Sequence, residues 1–378
     1  MNTPEFVLRG GTLVDASTDG TPMDLLIQDG KIAAHLLPGT HVDASVPVQS
    51  AKGLHIFPGL IDAHMHFGFG EKITEYETET IYAAQGGFTT VLGYFLNNEA
   101  YADVYKREQE YARTRAYIDY AFHFSTANEQ HIHELADYVK TYGVTSFKYF
   151  MNFKGEEGRY LGLDGTDDGY LYDLLAAAAA VGDVKVVCHT ENIEIVNRIR
   201  TRLQAAGGST LKDWSMAKPA FTEAESCVRA MYFAEHLGAQ IYIPHLSTRM
   251  ALNEVRRWRG RYDKVFVETC PHYLLFDDSV YDNEDFETAK YVMTPPLRTS
   301  NDQKHLWRAL RYDDLQVIAT DHCPFCFKEQ KELGVGDFSK IPNGIGSVEH
   351  RMDLLYQGVV DPLGGSWYVE ALTDEGVI

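Results

Sequence analysis

The chain has 378 residues, of which 45% are hydrophobic and 23% charged, and its formal charge is −20 at pH 7. This composition is typical of a folded protein, and the acidic excess disfavours nucleic acid and anionic membranes as partners, because such a surface repels phosphate groups. The sequence starts without a signal-peptide pattern and has no stretch of ~20 apolar residues, so we expect a cytoplasmic protein.

Residues 1–57 are predicted to form a small β module, because short apolar runs alternate there with turn residues. The predicted strands cover residues 6–8, 12–14, 24–27 and 31–33. Asp29-Gly30 lies between the last two runs, and this dipeptide between apolar segments is a strong signal for a β-hairpin.

Residues 58–365 alternate between apolar strands and helical stretches, several of which stop at a glycine suited to a helix C-terminus. The eight predicted strands cover residues 60–64, 89–93, 118–124, 146–151, 184–189, 240–245, 265–269 and 316–320. Most are continuous apolar runs, as expected of a parallel sheet buried on both faces. Eight such units in about 300 residues predict an α/β fold of the (β/α)8 TIM-like barrel type, with a doubly wound open sheet as the alternative.

Two histidine pairs share the same spacing but lead to different expectations. His64 and His66 fall on a predicted strand, where alternate side chains point to the same face and can share one metal. His131 and His133 fall in a helical pattern, where side chains two residues apart diverge by about 200°. We therefore interpret the second pair as solvated surface residues.

A barrel places its catalytic groups at the C-terminal ends of its strands. Six residues that can bind metal, or be converted to do so, fall on five predicted strands at that end: His64, His66, Lys148, His189, His245 and Asp321. Each alone has a structural interpretation, such as a core histidine, a surface lysine or a helix N-cap. Their joint placement favours one shared site.

These residues lie in motifs that resemble those of the dihydropyrimidinase and hydantoinase group, the cyclic amidohydrolases of the amidohydrolase superfamily. The motifs are GLIDAHMH at 59–66, SFK at 146–148, CHTEN at 188–192, PHLS at 244–247, ETCPHYL at 268–274, YVMTPPLR at 291–298, ATDHCPF at 319–325 and KIPNG at 340–344. The resemblance extends over nearly the whole chain.

The resemblance implies a hydrolase that opens a cyclic amide or ureide ring of the hydantoin or dihydropyrimidine type by attack of a metal-bridging hydroxide. It implies two divalent ions, usually zinc. His64, His66 and Asp321 would hold one, and His189 and His245 the other. Lys148, as a carbamate formed with carbon dioxide (N6-carboxylysine), would bridge both. A free ammonium would repel two cations, whereas a carbamate is an anion with two oxygens.

Further residues acquire roles from the same resemblance. Asp321 would be catalytic, taking a proton from the hydroxide and delivering it to the leaving ring nitrogen. Main-chain groups around Thr294 and Asn343 would bind the ring, with Gly344 permitting close backbone approach, although Asn343-Gly344 also reads as an ordinary turn. The substrate would be a small cyclic ureide or imide, and the protein a homo-oligomer, either a tetramer or a dimer.

Two features depart from the family pattern. Phe153 stands where the family usually has a tyrosine whose hydroxyl stabilises the developing oxyanion. Tyr149 or Tyr160 could replace it, the metals could suffice alone, or the substrate could differ. Family members also continue into strands that complete the N-terminal sandwich, so we expect that module to be incomplete and residues 366–378 to be a truncated segment.

Other functions remain open at this point. An allantoinase-like or dihydroorotase-like enzyme is the nearest alternative, but dihydroorotases typically carry an arginine at the position of Gly68. A non-catalytic protein related to dihydropyrimidinase is disfavoured because all six ligand positions are intact.

Overall fold

The computed structural model describes residues 5–15, 18–67, 72–155, 158, 163, 166–283 and 285–360. The chain divides into two compact units, one containing the N-terminal residues up to Leu60 and the other running from Ile61 to Gly358. The domain bounds predicted above stay predictions, and the segment 366–378 lies outside the described residues.

The described part of the first unit contains one five-stranded sheet with the order β3-β2-β1-β4, and β5 also pairs with β1. The strands are β1 (Phe6–Asp15), β2 (Thr18–Gln28), β3 (Lys31–Leu36), β4 (Val48–Ser50) and β5 (His55–Ile56). The predicted hairpin is confirmed: Asp29 and Gly30 both have positive φ, 53° and 69°, as a type I′ turn between β2 and β3 requires.

The prediction of two separate strands at the start of this module is wrong, because both segments belong to a single strand, β1. The pairing register of β1 with β2 shifts between Leu8 and Gly11, where Gly10 adopts a φ of 82°. The N–H of Gly10 donates to Asp24 Oδ1 at 2.8 Å, so the backbone group that leaves the ladder has a buried acceptor.

The second unit contains the predicted barrel. Its eight strands occur in sequential order in one sheet: β6 (Leu60–Met65), β7 (Phe88–Leu96), β8 (Asp119–Ser125), β9 (Ser146–Phe150), β10 (Lys185–His189), β11 (Gln240–Ile243), β12 (Val265–Thr269) and β13 (Val317–Ile318). Strands β7 to β13 pair in parallel with their neighbours. Met65 and His322 form a parallel bridge, and the N–H of His66 donates to the carbonyl of His322 at 2.8 Å, so the first and last strands meet.

Helices alternate with these strands, as predicted. They are α1 (Lys72–Gln85), α2 (Tyr101–Arg115), α3 (Glu129–His133), α4 (Leu135–Tyr142), α5 (Asp168–Val181), α6 (Ile193–Ala205), α7 (Leu211–Met216), α8 (Ala220–Leu237), α9 (Arg249–Arg259), α10 (Pro271–Leu275), α11 (Ser300–Arg311) and α12 (Arg351–Val360). Short 3₁₀ helices cover Asp278–Asp282, Phe286–Tyr291, Lys331–Gly334, Phe338–Lys340 and Val348–His350. Gly143 and Gly238 end α4 and α8 in the left-handed conformation, whereas Gly260 after α9 is right-handed.

The interpretation of His131 as a solvated surface residue is wrong. The residue lies on a helix, as predicted, but it is fully buried and stacks on Tyr101 with ring centroids 4.5 Å apart. Its Nδ1 accepts from the N–H of Ala127 and its Nε2 donates to the carbonyl of Glu99. Both ring nitrogens of His131 therefore have partners within the fold. Of the two histidines in this pair, only His133 is exposed. Among the described helices, none is long and apolar enough to cross a membrane.

Candidate active site

All six predicted metal-binding residues lie towards the C-terminal ends of barrel strands. His64 lies near the end of β6 with His66 just beyond it, Lys148 is on β9, and His189 is the last residue of β10. His245 and Asp321 follow β11 and β13 closely. Five of the six line one cavity at this end: His66, Lys148, His189, His245 and Asp321.

The first ligand set consists of His64, His66 and Asp321, whose potential ligand atoms all lie within 4.8 Å of one another. Asp321 Oδ1 is 3.0 Å from His64 Nε2 and 3.1 Å from His66 Nε2, and the two Nε2 atoms are 3.2 Å apart. Two imidazoles and a carboxylate converging on one point form a donor set suited to a divalent metal ion.

Asp62 explains how residues 257 positions apart come together in this set. Its buried carboxylate accepts from the N–H of His64 at 3.2 Å and from the N–H of Thr320 at 3.1 Å. The carboxylate therefore ties the end of the first strand to the residue that precedes Asp321. Asp321 itself has a left-handed backbone with a φ of 48°, an unfavourable conformation for a residue other than glycine and one that clusters at functional sites.

Glu268, near the end of β12, contacts the first ligand set on the side away from the shared metal position. Its Oε1 lies 2.7 Å from His64 Nδ1 and accepts from the N–H of His245 at 3.0 Å, and its Oε2 accepts from the hydroxyl of Tyr242 at 2.6 Å. His245 also has a left-handed backbone, with a φ of 40°. A carboxylate on the remote ring nitrogen fixes the orientation of a metal-binding histidine.

The charges around the first ligand set favour a cation. Burial alone would lower the pKa of His64, but the carboxylates of Asp321 and Glu268 outweigh it and raise the pKa to about 9. Burial would raise the pKa of Asp321, yet His64 and His66 hold that pKa well below its usual range. A protonated His64 donates from Nδ1 to Glu268 and from Nε2 to Asp321, and a metal ion at the same place would replace the Nε2 proton.

The second ligand set consists of Lys148, His189 and His245. The rings of His189 and His245 have centroids 4.4 Å apart. Burial lowers the pKa of His189 to about 4 and that of His245 well below its usual value, so both imidazoles are neutral at pH 7. Neutral imidazole is the form that binds metal.

Glu191 orients His189 as Glu268 orients His64. Its Oε2 lies 2.7 Å from His189 Nε2, which leaves Nδ1 as the ring nitrogen available to a metal. The same oxygen accepts from the hydroxyl of Thr294 at 2.6 Å, and Lys218 Nζ donates to that hydroxyl at 2.7 Å. The side chain of Thr294 is thus occupied by this network, which is compatible with the predicted use of its main chain.

Lys148 is the only cation of the second ligand set. It is 1% exposed, and its Nζ lies 4.6 Å from the ring centroid of Tyr94 and 5.3 Å from that of Phe150. No described carboxylate lies within ion-pair distance of it. Burial lowers the pKa of Lys148 to about 8, although Asp321 and Glu268 oppose the shift. About a tenth of the amine is therefore neutral at pH 7, and the neutral amine is the nucleophilic form.

The Asn343-Gly344 segment forms part of the cavity wall and packs closely against its neighbours. An ordinary turn would not need such close packing. A Cβ at Gly344 would lie 2.3 Å from the carbonyl oxygen of Cys323, so only glycine fits there. Lys331, which is buried, donates from Nζ to the carbonyls of Val292, Pro342 and Gly344 at 2.7 to 2.8 Å. One amine thus fastens the segments that carry Thr294 and Asn343.

Phe153 lines the cavity and packs against Phe150, with ring centroids 5.6 Å apart. Tyr149 cannot replace the missing tyrosine, because its hydroxyl donates to the carbonyl of Asp167 at 2.7 Å and the residue lines a different depression. Tyr160 and Gly68 lie outside the described residues.

Sequence reasoning missed four residues of this site: Glu268, Glu191, Lys331 and Asn152, the last of which also lines the cavity. Glu268 and Glu191 were inside recognised motifs, and their position at strand ends was an available signal. Nothing in the sequence pointed to Lys331, because its three acceptors are set by loops that fold around it.

Comparison with known proteins agrees with this geometry. A sequence profile described as dihydro-orotase-like matches residues 53–251. A D-hydantoinase from Streptomyces coelicolor is 38% identical over 366 residues, which cover 94% of this chain and 76% of the relative. A D-hydantoinase from Geobacillus stearothermophilus is 38% identical over 359 residues, which cover 93% of this chain and 74% of the relative.

Solved structures give the same result. The D-hydantoinase from Bacillus sp. AR9 superposes with a TM-score of 0.87 at 34% identity, over 97% of this chain and 79% of that one. The dihydropyrimidinase from Brevibacillus agri superposes with a TM-score of 0.88 at 34% identity over the same shares. The chain therefore belongs to the hydantoinase and dihydropyrimidinase family, the cyclic amidohydrolases of the amidohydrolase superfamily.

Proposed function

We propose that this protein is a metal-dependent hydrolase that opens a cyclic amide or ureide ring of the hydantoin or dihydropyrimidine type. The observation that carries the proposal is the convergence of two ligand sets on one cavity, each with a buried carboxylate behind a histidine. The similarity to D-hydantoinases supplies the class of ring.

Two divalent ions would occupy the two ligand sets, with zinc as the metal expected by analogy with the family. His64, His66 and Asp321 would hold one ion, while His189 and His245 would hold the other. The second pair is neutral, so a second ion there would lack an anionic ligand of its own. Conversion of the neutral Lys148 amine to a carbamate would provide that anion between the two sets.

When bound, the ions would polarise the ring carbonyl and provide hydroxide near neutral pH. Asp321 is the residue placed to move the proton, since its carboxylate lines the cavity and its lowered pKa keeps it ionised and able to accept one. It would accept a proton from the attacking hydroxide and pass it to the leaving ring nitrogen. The two histidines at 3.0 and 3.1 Å hold its Oδ1 in place, which leaves its second oxygen for this transfer.

Thr294, Asn343 and Phe153 would form the substrate side of the cavity, as all three line it. The main chain near Thr294 and Asn343 would bind the planar N–H and C=O edge of the ring. Asn343 Oδ1 is buried without a hydrogen-bond partner among the described residues, and a ring N–H would satisfy it.

A dihydroorotase-like or allantoinase-like activity is the second candidate, because the matching sequence profile is dihydro-orotase-like. Gly68 in place of the arginine that reads a substrate carboxylate argues against dihydroorotate. A non-catalytic role would leave the intact ligand sets unexplained. The homo-oligomeric assembly and the cytoplasmic location remain predictions from the sequence.

A ring-opening screen tests the proposal. Metal-loaded protein should hydrolyse hydantoins or dihydropyrimidines faster than allantoin or dihydroorotate, and removal of metal by a chelator should abolish the activity. Preferential opening of dihydroorotate would favour the second candidate. Metal-loaded, folded protein that opens none of the four rings would contradict the proposal.

A further inference from the structure

Lys331 is a buried lysine that takes no part in the proposed reaction. Its side chain is 2% exposed, and its Nζ lies 5.5 Å from the ring centroid of Phe325. A buried amine is costly unless its N–H groups have acceptors. Here three main-chain carbonyls accept from Nζ, those of Val292 at 2.8 Å, Pro342 at 2.7 Å and Gly344 at 2.8 Å.

The three acceptors belong to the two segments that are proposed to bind the ring. Val292 precedes Thr294 by two residues, and the other two acceptors flank Asn343 on either side. Thr294 and Asn343 both line the catalytic cavity. The N–H of Gly344 also donates to the carbonyl of Val292 at 3.1 Å, so the segments touch at one point. The amine of Lys331 joins them at three more atoms.

The main-chain groups next to these acceptors are free. The N–H and C=O groups of Thr294 and Asn343 make no hydrogen bond to another described residue. These are the groups proposed to bind the N–H and C=O edge of the ring. A hydrogen bond weakens steeply when its atoms are misaligned, so two segments can bind one planar edge well only if their separation is fixed.

The charged form of Lys331 suits this arrangement. Burial lowers the pKa of Lys331 to about 7. The three carbonyl oxygens favour the protonated form, because an ammonium offers one N–H to each of them and a neutral amine offers only two. Hydrogen bonds from a charged donor are also stronger than those from a neutral one.

We propose that Lys331 is a positioning residue for the substrate, whose amine holds the segments carrying Thr294 and Asn343 at the separation that a cyclic amide edge requires. This inference rests on the proposed ring-opening function and assigns part of its substrate affinity to a residue that does not line the catalytic cavity. None of the three acceptors belongs to a ligand set. Loss of the amine should therefore raise KM much more than it lowers kcat.

Two variants of the metal-loaded, full-length protein test this split. Lys331→Met keeps the approximate length and removes the amine, so KM for the best ring substrate should rise about tenfold, the equivalent of one hydrogen bond to a charged group. Its kcat and metal content should stay within about threefold of wild type. Lys340→Met is the matched control, because it removes an exposed amine nearby in the chain, one that contacts only Asp337 at 3.5 Å. Its KM should stay within about twofold of wild type.

A chemical rescue separates positioning from a general loss of structure. Lys331 lines a second cavity of about 290 Å³, and Gly344 and Ile345 line both this cavity and the catalytic one. Lys331→Ala removes three carbons and the amine, which together correspond to propylammonium. Added propylammonium should lower the raised KM of this variant at least about threefold, whereas propanol, which has no charged donor, should not.

Several outcomes would overturn the proposal. One is a KM within threefold of wild type in folded Lys331→Met, and another is a loss of kcat or metal with KM unchanged. A third is equal rescue by propanol. If the Met and Ala variants do not fold, Lys331→Gln retains two donors and should raise KM about threefold. An unchanged KM in that variant, or its failure to fold, would show that Lys331 serves only the fold.

The two proposals fail in different ways. If the wild-type protein opens none of the rings, the proposed function fails, and the role of Lys331 fails with it. If the wild type is active and Lys331→Met has the same KM, the ring-opening function stands and only the role of Lys331 is wrong.

Discussion

The two ligand sets lie at the same end of the barrel but differ in charge. The first set contains a carboxylate in direct contact with two histidines, and Glu268 adds a second anion behind it. The second set contains two neutral imidazoles and a lysine amine, and its supporting carboxylate, Glu191, is bonded to His189 and Thr294. The first set therefore includes an anionic ligand for one cation, whereas the second has none and, under the proposed function, would depend on conversion of Lys148 to a carbamate.

The largest expected effect comes from Asp321, which belongs to the first set and, in the proposed function, moves the proton. Asp321→Asn keeps the shape but removes the charge and the basic oxygen, so kcat should fall by at least about 10³-fold. Metal content should also decrease. Steady-state turnover and elemental analysis measure both, and turnover within tenfold of wild type would show that another group moves the proton.

Lys148 tests the incomplete set. Lys148→Met preserves the length and removes the amine, so the second set should lose its ion while the first keeps one. We expect about one metal per chain and a loss of turnover of about 10²-fold or more, with partial recovery when a short carboxylate such as propionate is added. Two tightly bound ions in this variant would mean that the carbamate is not required.

Glu268 and Glu191 have equivalent roles, because each places a carboxylate against one histidine of its ligand set. Changing either to glutamine should weaken metal binding by about 10–100-fold. Glu268→Gln should act on the first ion, which Lys148→Met retains, whereas Glu191→Gln should act on the second and also raise KM because Glu191 holds Thr294. Competition with a metal indicator measures the affinities. Equal effects on both ions would remove the distinction between the sets.

The smallest effect is a pH dependence of carbamate formation. Burial lowers the pKa of Lys148 to about 8, so the neutral, reactive fraction of the amine increases as the pH rises through that value. In metal-free protein held at a constant concentration of dissolved carbon dioxide, carbamate formation should be slow below about pH 7 and reach a plateau above about pH 9. Native mass spectrometry reports the added mass, with Lys148→Met as the control. A rate that continues to rise about tenfold per pH unit above about pH 9 would mean that the pKa of Lys148 is not lowered.

The sequence was sufficient for the barrel and for the six candidate ligands, because apolar runs and strand-end residues follow local rules. The features that could not be predicted from the sequence depend on long-range contacts. His131 is buried because distant backbone groups at Ala127 and Glu99 meet its ring, and no spacing rule shows that. Asn152 also lines the cavity, and no motif in the sequence singles it out.

The central claim is that two ligand sets together form one ring-opening site. Titration of metal-free, carbon dioxide-equilibrated protein with zinc, with hydantoin turnover measured at each step, tests it most directly. The account predicts that activity in the wild type stays low up to one equivalent of metal per chain and rises between one and two equivalents, and that Lys148→Met binds one equivalent with little activity. Full wild-type activity at one equivalent, or no metal binding by the folded protein, would contradict it.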